Sequence, residues 1–207
     1  GSRMPQSQAT PVPPARLSKR ERRQRANARR RLLVRLLGGA AAVAFLALVG
    51  YGAWNLFRPK LGKAVPEQAR IHIQADDPHE PYNSDPPTSG AHAAPAREGF
   101  YDTAPPDENL VHNLEHGYVV IWYDCSSLDD SGCQSLTGQI RAVMDSAPSV
   151  SVFGGAKKLI AAPRQGMDTV LALTSWGRRY ALGSFDEMNV LQFINDFRGQ
   201  APEGGAP

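Results

Sequence analysis

"LVHNLEHGYVVIWY", residues 110–123, joins two patterns. Its second half, Tyr118 to Tyr123, is an unbroken β-branched and aromatic run, which predicts a buried strand. Its first half sets His112 and His116 four residues apart with Glu115 between them. In a strand that spacing would hold the two rings roughly 13 Å apart, too far to share an ion. On a helix they would lie about 6 Å apart on one face, a workable pair of ligands. Asp107 can cap a helix start and Gly117 suits the position just past a helix end, so a short helix over 108–116 is expected. Two readings of the histidines stay open at this point. They either ligate a metal or close a helix in front of a core strand.

Downstream, Leu136, Ile140, Val143 and Met144 follow helical spacing and predict an amphipathic helix over 134–146, ended before Pro148. "KLIAAP" and "TVLALTSW" read as strands with Gly166 in the turn between them. Gly177 breaks the next turn before a shorter strand in "RRYALGSF". Ser184 and Glu187 have the spacing of a capping box for a last helix, 185–198, expected to turn Met188, Leu191, Ile194 and Phe197 to the sheet. Trp122, Phe153 and Trp176 read as core packing. The order β-α-β-β-β-α predicts an α+β core over 107–198, with a mixed or antiparallel sheet and helices on one face.

Upstream the chain changes character. Residues 60–106 read as a linker and a Pro/Gly-rich functional loop, which holds most of "DDPHEPYNSDPPTSGAHAAPAREGFYDTAPPDE", residues 76–108. A stretch this long without periodicity is usually functional or disordered. Residues 199–207, "GQAPEGGAP", and residues 1–15 read as disordered.

Charge is distributed unevenly. The net charge is +3, yet residues 1–35 alone hold eleven Arg/Lys and one acid, leaving the remainder mildly acidic. That basic arm, helical from about residue 16, adjoins Leu36–Phe57, a run of 22 residues with no charge. Such a run spans a hydrocarbon core of roughly 30 Å. The basic charge is therefore assigned to membrane orientation and not to nucleic acid. Residues 1–35 are expected in the cytoplasm, 36–57 as a single transmembrane anchor, and the rest on the periplasmic or extracellular side. A cleaved signal peptide is the alternative, but its apolar core usually has only about 7–15 residues. In an exported domain Cys125 and Cys133 are expected to form a disulfide, since their spacing fits no zinc or redox motif.

All five histidines, His72, His79, His92, His112 and His116, fall between residues 72 and 116. Neutral imidazole binds copper and zinc well, so this crowding predicts a transition-metal site. His92, His112 and His116 are the expected core of it, with His72, His79 or Met167 completing the set. Glu115 would ligate, orient a ring or act as a base. Arg97, Arg178 and Arg179 are candidate anion guides.

"YNSDPPTSGAH", "ENLVHNLEHGYVVI" and "LTSWGRR" resemble signature segments of a bacterial family of membrane-anchored extracytoplasmic domains of unknown function, over about residues 66–203. That resemblance implies an exported α+β domain and no particular activity. "TSGAHAAP" is also similar to the segment of copper superoxide dismutases in which Gly-x-His presents a copper ligand near a disulfide. This second resemblance implies copper as the metal and superoxide as the substrate. The class's His-x-His strand motif and Greek-key pattern are absent, so only the chemistry would be shared. A zinc hydrolase is the alternative enzyme, reading "HNLEH" as H-x-x-E-H with Glu115 as base and Glu187 as third ligand, although Gly117 cuts that helix short. The alternative outside catalysis is a metal-binding or cell-envelope interaction module.

Overall fold

A computed structural model describes residues 19–151 and 155–206. The expected disorder of residues 1–15 and the packing of Phe153 lie outside the described residues. The chain divides into two units, Gly1–Arg58 and Pro59–Pro207. In the first, helix α1 (Lys19–Phe57) is continuous through the basic segment, so residues 19–35 are helical. Arg29–Asn55 is long and apolar enough to cross a membrane. Leu36, Phe45, Leu48 and Trp54 are exposed on it, and from residue 36 on the helix carries no charge, as a lipid-facing helix does.

The second unit is an α+β fold on a six-stranded mixed sheet. Its strands are β1 (Lys63–Ala64), β2 (Gly99–Phe100), β3 (Val119–Tyr123), β4 (Leu159–Pro163), β5 (Leu171–Ser175) and β6 (Arg178–Leu182). Their order is β1-β6-β5-β3-β4-β2. Helix α2 (Asp107–Glu115) precedes β3, α3 (Asp130–Ser146) follows it, and α4 (Glu187–Phe197) closes the series. β4 runs parallel to β3 and to β2, while β5 is antiparallel to β3 and β6. A parallel pair needs a crossover, and α3 supplies it between β3 and β4. β3 lies between β4 and β5 with all five residues buried, which explains a strand apolar on both faces.

The period-two alternation of β3 sorts the core. Val119, Ile121 and Tyr123 face Ile140 and Val143 of α3 and Val190 and Phe193 of α4. Val120 and Trp122 face Leu110, Val111 and Leu114 of α2, with Tyr82, Ala96 and Tyr101 from the long loop. The expectation of helices on one face holds for α3 and α4. The histidine-bearing α2 packs on the other face, beneath the loop.

Several local expectations are corrected. Residues 60–106 are no loose linker: β1 and β2 form both sheet edges, Val65 N–H donates to Gly177 O, and Thr88 and Ser89 are fully buried. Residues 199–206, expected to be a disordered tail, turn back onto the domain through Gly199 N–H to Gly117 O and Glu203 N–H to Glu115 O. Asp107 is not the cap of α2. Pro106 holds that position and Asp107 pairs with Arg164 at 2.7 Å. α3 starts earlier than expected, at Asp130, capped by Asp129. The Ser184–Glu187 box does not form, because Asp186 caps α4 by accepting from Asn189 N–H. The buried stripe of α4 is Val190, Phe193 and Ile194, with the expected Leu191 and Phe197 partly buried against it, while Met188 is 81% exposed. The Cys125–Cys133 disulfide is present and ties the exit of β3 to the first turn of α3.

Candidate metal centre

Two segments build the site. Leu110, Val111 and Leu114 seat α2 on the sheet, and its last turn carries His112, Glu115 and His116. The helical spacing brings His112 Nε2 and His116 Nε2 to 3.1 Å. The second segment is the loop around His92. Gly90, at φ +131, turns the chain where a side chain would meet the Tyr82 ring at 3.0 Å, and Tyr82 Oη–H donates to Ala91 O. His92 then pairs with the 71–73 segment: His92 N–H donates to Ile71 O and Ile73 N–H to His92 O, both at 2.9 Å. This bridge sets the His72 and His92 rings side by side, with Nε2 atoms 3.3 Å apart.

Carbonyls fix the tautomers. A carbonyl only accepts, so the contacts of His92 Nδ1 with Gly90 O and of His112 Nδ1 with Ala93 O put the proton on Nδ1 in both rings. In the neutral rings Nε2 then carries a bare lone pair, and both lone pairs point inward, as in histidines oriented for a metal. Burial and the neighbouring His116, His92 and His72 lower the pKa of His112, which keeps it in the neutral form a ligand needs.

Glu115 is 1% exposed, with Oε2 3.0 Å from His92 Nε2 and 4.0 Å from His72 Nε2. Despite that closeness, Oε2 receives no hydrogen bond among the described residues. The tautomer explains why: His92 offers the carboxylate a lone pair, not an N–H. Burying a carboxylate oxygen without a donor is costly, and a cation bound beside Oε2 would remove the penalty. Two groups have ligand atoms within 4.8 Å of one another, His72/His92/His112 and His112/Glu115/His116. His112 belongs to both, so the two groups adjoin at its Nε2. Donors bound at about 2.1 Å to one ion lie about 3.0 Å apart at a right angle and about 3.4 Å apart at the tetrahedral angle. The separations of 3.0, 3.1 and 3.3 Å fall in that range. His92 is fully buried, while the side chain of His72 is 63% exposed, so the site opens on the His72 side.

Other expected residues lie elsewhere. His79 Nδ1 donates to Glu80 O and its Nε2 sits 3.0 Å from Glu108 Oε1, so both nitrogens are engaged away from the cluster. Met167 lies in the β4–β5 turn and packs against the core on the α2 face, at the opposite end of the strands from His116, whose carbonyl meets Lys158 at the entry to β4. Neither lies in the histidine groups; His72 does. Arg97 is exposed and offers its carbonyl to Tyr101. Arg178 binds Leu61 O and Gly62 O, and Arg179 pairs with Asp168, so neither faces the histidines. Glu187 begins α4 on the other face of the sheet, which removes it as a third zinc ligand. Two residues went unread in the sequence. Arg70 lies 3.7 Å from Glu115 Oε1, and Glu203 Oε2 lies 3.7 Å from His116 Nε2. Arg70, two residues before His72, carried a faint signal by proximity; Glu203, in a Gly/Pro-rich tail, carried none.

Fold and site together define a class: an α+β domain with a histidine-rich group able to hold a metal ion, in a chain whose apolar N-terminal helix suits a membrane anchor or a signal sequence. Residues 72–207 match the family described as Protein of unknown function (DUF3105), and the chain belongs to that family. The match begins at His72 and takes in every histidine, Glu115 and Glu203. No curated protein and no solved structure matches the chain.

Proposed function

We propose that this is a membrane-anchored copper protein whose domain lies outside the cytoplasm and removes superoxide at the cell envelope. The observation that carries the metal reading is the convergence of four imidazoles on one buried carboxylate, with two tautomers fixed to face inward. Copper is favoured by the ligand chemistry. Both cysteines are taken by the disulfide, leaving an imidazole-rich set, and such sites bind Cu(II) more tightly than the other common divalent metals. A disulfide also suits an oxidising compartment, consistent with the N-terminal arm inside and the domain outside.

Bound copper would supply one-electron chemistry, in which one superoxide gives up its electron and leaves as O2 while a second takes that electron and two protons to leave as H2O2. The chain's own part is access and charge. The exposed side at His72 admits a small anion, and the half-exposed Arg70 beside Glu115 adds positive charge there in place of Arg97. A non-catalytic metal holder would use the same ligands without turnover. The zinc hydrolase is weakened because Glu115 sits beneath the histidines and Glu187 is on the far face.

The test loads the full-length protein with copper in detergent and follows superoxide decay by stopped flow. Dismutation that disappears, together with the metal, in His112→Ala supports the reading. Stoichiometric copper without dismutation would leave the metal holder, and zinc with activity only on peptides would restore the hydrolase.

A further inference from the structure

The C-terminal segment after α4 crosses the end of α2, where nothing in its composition would bring it. Three features hold it there. Gly199 N–H donates to Gly117 O at 2.8 Å, and Glu203 N–H donates to Glu115 O at 3.0 Å. Lys158, only 5% exposed, spans both pieces of chain: its Nζ donates to His116 O at 2.9 Å and to Gly204 O and Ala206 O at 3.0 and 2.5 Å. Lys158 adopts φ +55, a left-handed conformation unfavourable for a residue with a side chain. Its ammonium thus meets the carbonyl of His116, which caps the end of α2, where a helix favours positive charge. Glycine makes the crossing close: a side chain at Gly204 would meet Gly199 O at 2.2 Å.

The outcome of this construction is the position of one side chain. Glu203 Oε2 stands 3.7 Å from His116 Nε2, neither residue belongs to the group that holds His72, and the Glu203 side chain remains 47% exposed. That separation lies between those of donors at the tetrahedral angle and donors on opposite sides of one ion, about 3.4 and 4.2 Å. The strap is thus fixed by its backbone, while its carboxylate keeps the freedom to approach or leave.

We propose that Glu203 is a displaceable carboxylate ligand, carried by the C-terminal strap, that completes the metal site at His116. This rests on the metal reading above and adds a residue to it. An oxygen donor on a solvated strap binds a divalent ion and is released more easily than the buried imidazoles. Glu203 therefore slows escape of the ion while leaving a position that an incoming anion can take. Lys158 acts at one remove, by holding the strap in register with α2.

The experiment uses the full-length protein in detergent, loaded with Cu(II). Release to excess chelator is timed, and the copper electron paramagnetic resonance spectrum is recorded, for the native chain, Glu203→Gln and Glu187→Gln. Glu203→Gln should still bind one copper, release it about tenfold faster, as loss of a supporting group commonly does, and show an altered spectrum. Glu187→Gln, exposed on the other face, should match the native chain. Native release rate and spectrum in Glu203→Gln would overturn the assignment while leaving the metal reading intact. A native chain that binds no copper would overturn both.

Discussion

Replacing Gly117 by alanine should destabilise the domain well beyond the usual cost of one methyl group. Gly117 sits at φ +82, where a residue with a Cβ loses about 1–2 kcal/mol. The new methyl would stand 2.9 Å from Gly199 Cα and 3.1 Å from its carbonyl carbon, both backbone atoms that no rotamer can clear. The strap must therefore shift, weakening the Gly199 N–H to Gly117 O bond, a contribution of about 1 kcal/mol. Together these give a loss of about 2–3 kcal/mol. With a urea slope of about 2 kcal/mol per molar, the unfolding midpoint should fall by about 1–1.5 M. Urea titration followed by tryptophan fluorescence reads this directly, since Trp122 and Trp176 are buried. Gly138→Ala is the matched comparison. That glycine lies inside α3 with open space at its Cβ, so alanine there should stabilise by up to about 1 kcal/mol. An unchanged midpoint in Gly117→Ala would refute the close approach of strap and helix.

Three further expectations follow from the same packing. Replacing both Cys125 and Cys133 by serine should cost about 2.5 kcal/mol, the loop-closure entropy for so short a separation, read as a lower unfolding midpoint. Leu114→Ala should cost about 2–5 kcal/mol, because Leu114 is fully buried between α2 and the sheet, and it should loosen the seating of the histidine group. The hydrogen bond to Glu108 raises the pKa of His79 above its usual 6.5. The folded state then holds that proton more tightly, so the contribution is full below pH 6.5 and fades as pH rises through the folded value. His79→Gln should accordingly cost more at about pH 6 than at about pH 9, within the roughly 1 kcal/mol of a solvent-screened pair. A penalty independent of pH would count against it.

The sequence made the core legible where periodicity and burial agree. Tyr118–Tyr123 reads as a central strand because β3 has neighbours on both sides and helices or loop over both faces. The His112–His116 pair was readable because helix geometry is local. His72 was not, since its approach to His92 depends on a bridge between segments twenty residues apart with no pattern of their own. His79 shows the converse failure. It shares the composition of its neighbours, but a nearby carboxylate, Glu108, captures its ring. The caps missed for a similar reason: Asp107 and Ser184 have capping chemistry, yet Arg164 claims the first and Asp186 displaces the second. Two-residue edge strands such as β1 and β2 carry too few residues to alternate, so their pairing could not be seen in advance.

The central claim is that His72, His92, His112, His116 and Glu115 hold one transition-metal ion. Titration calorimetry of Cu(II) and Zn(II) into the metal-stripped full-length protein, beside His92→Ala and His112→Ala, tests it most directly. The account predicts one site per native chain, with copper bound more tightly than zinc, and loss of that site in both variants. Binding of neither ion more tightly than about micromolar, roughly −8 kcal/mol, or equal binding by the native chain and both variants, would contradict it.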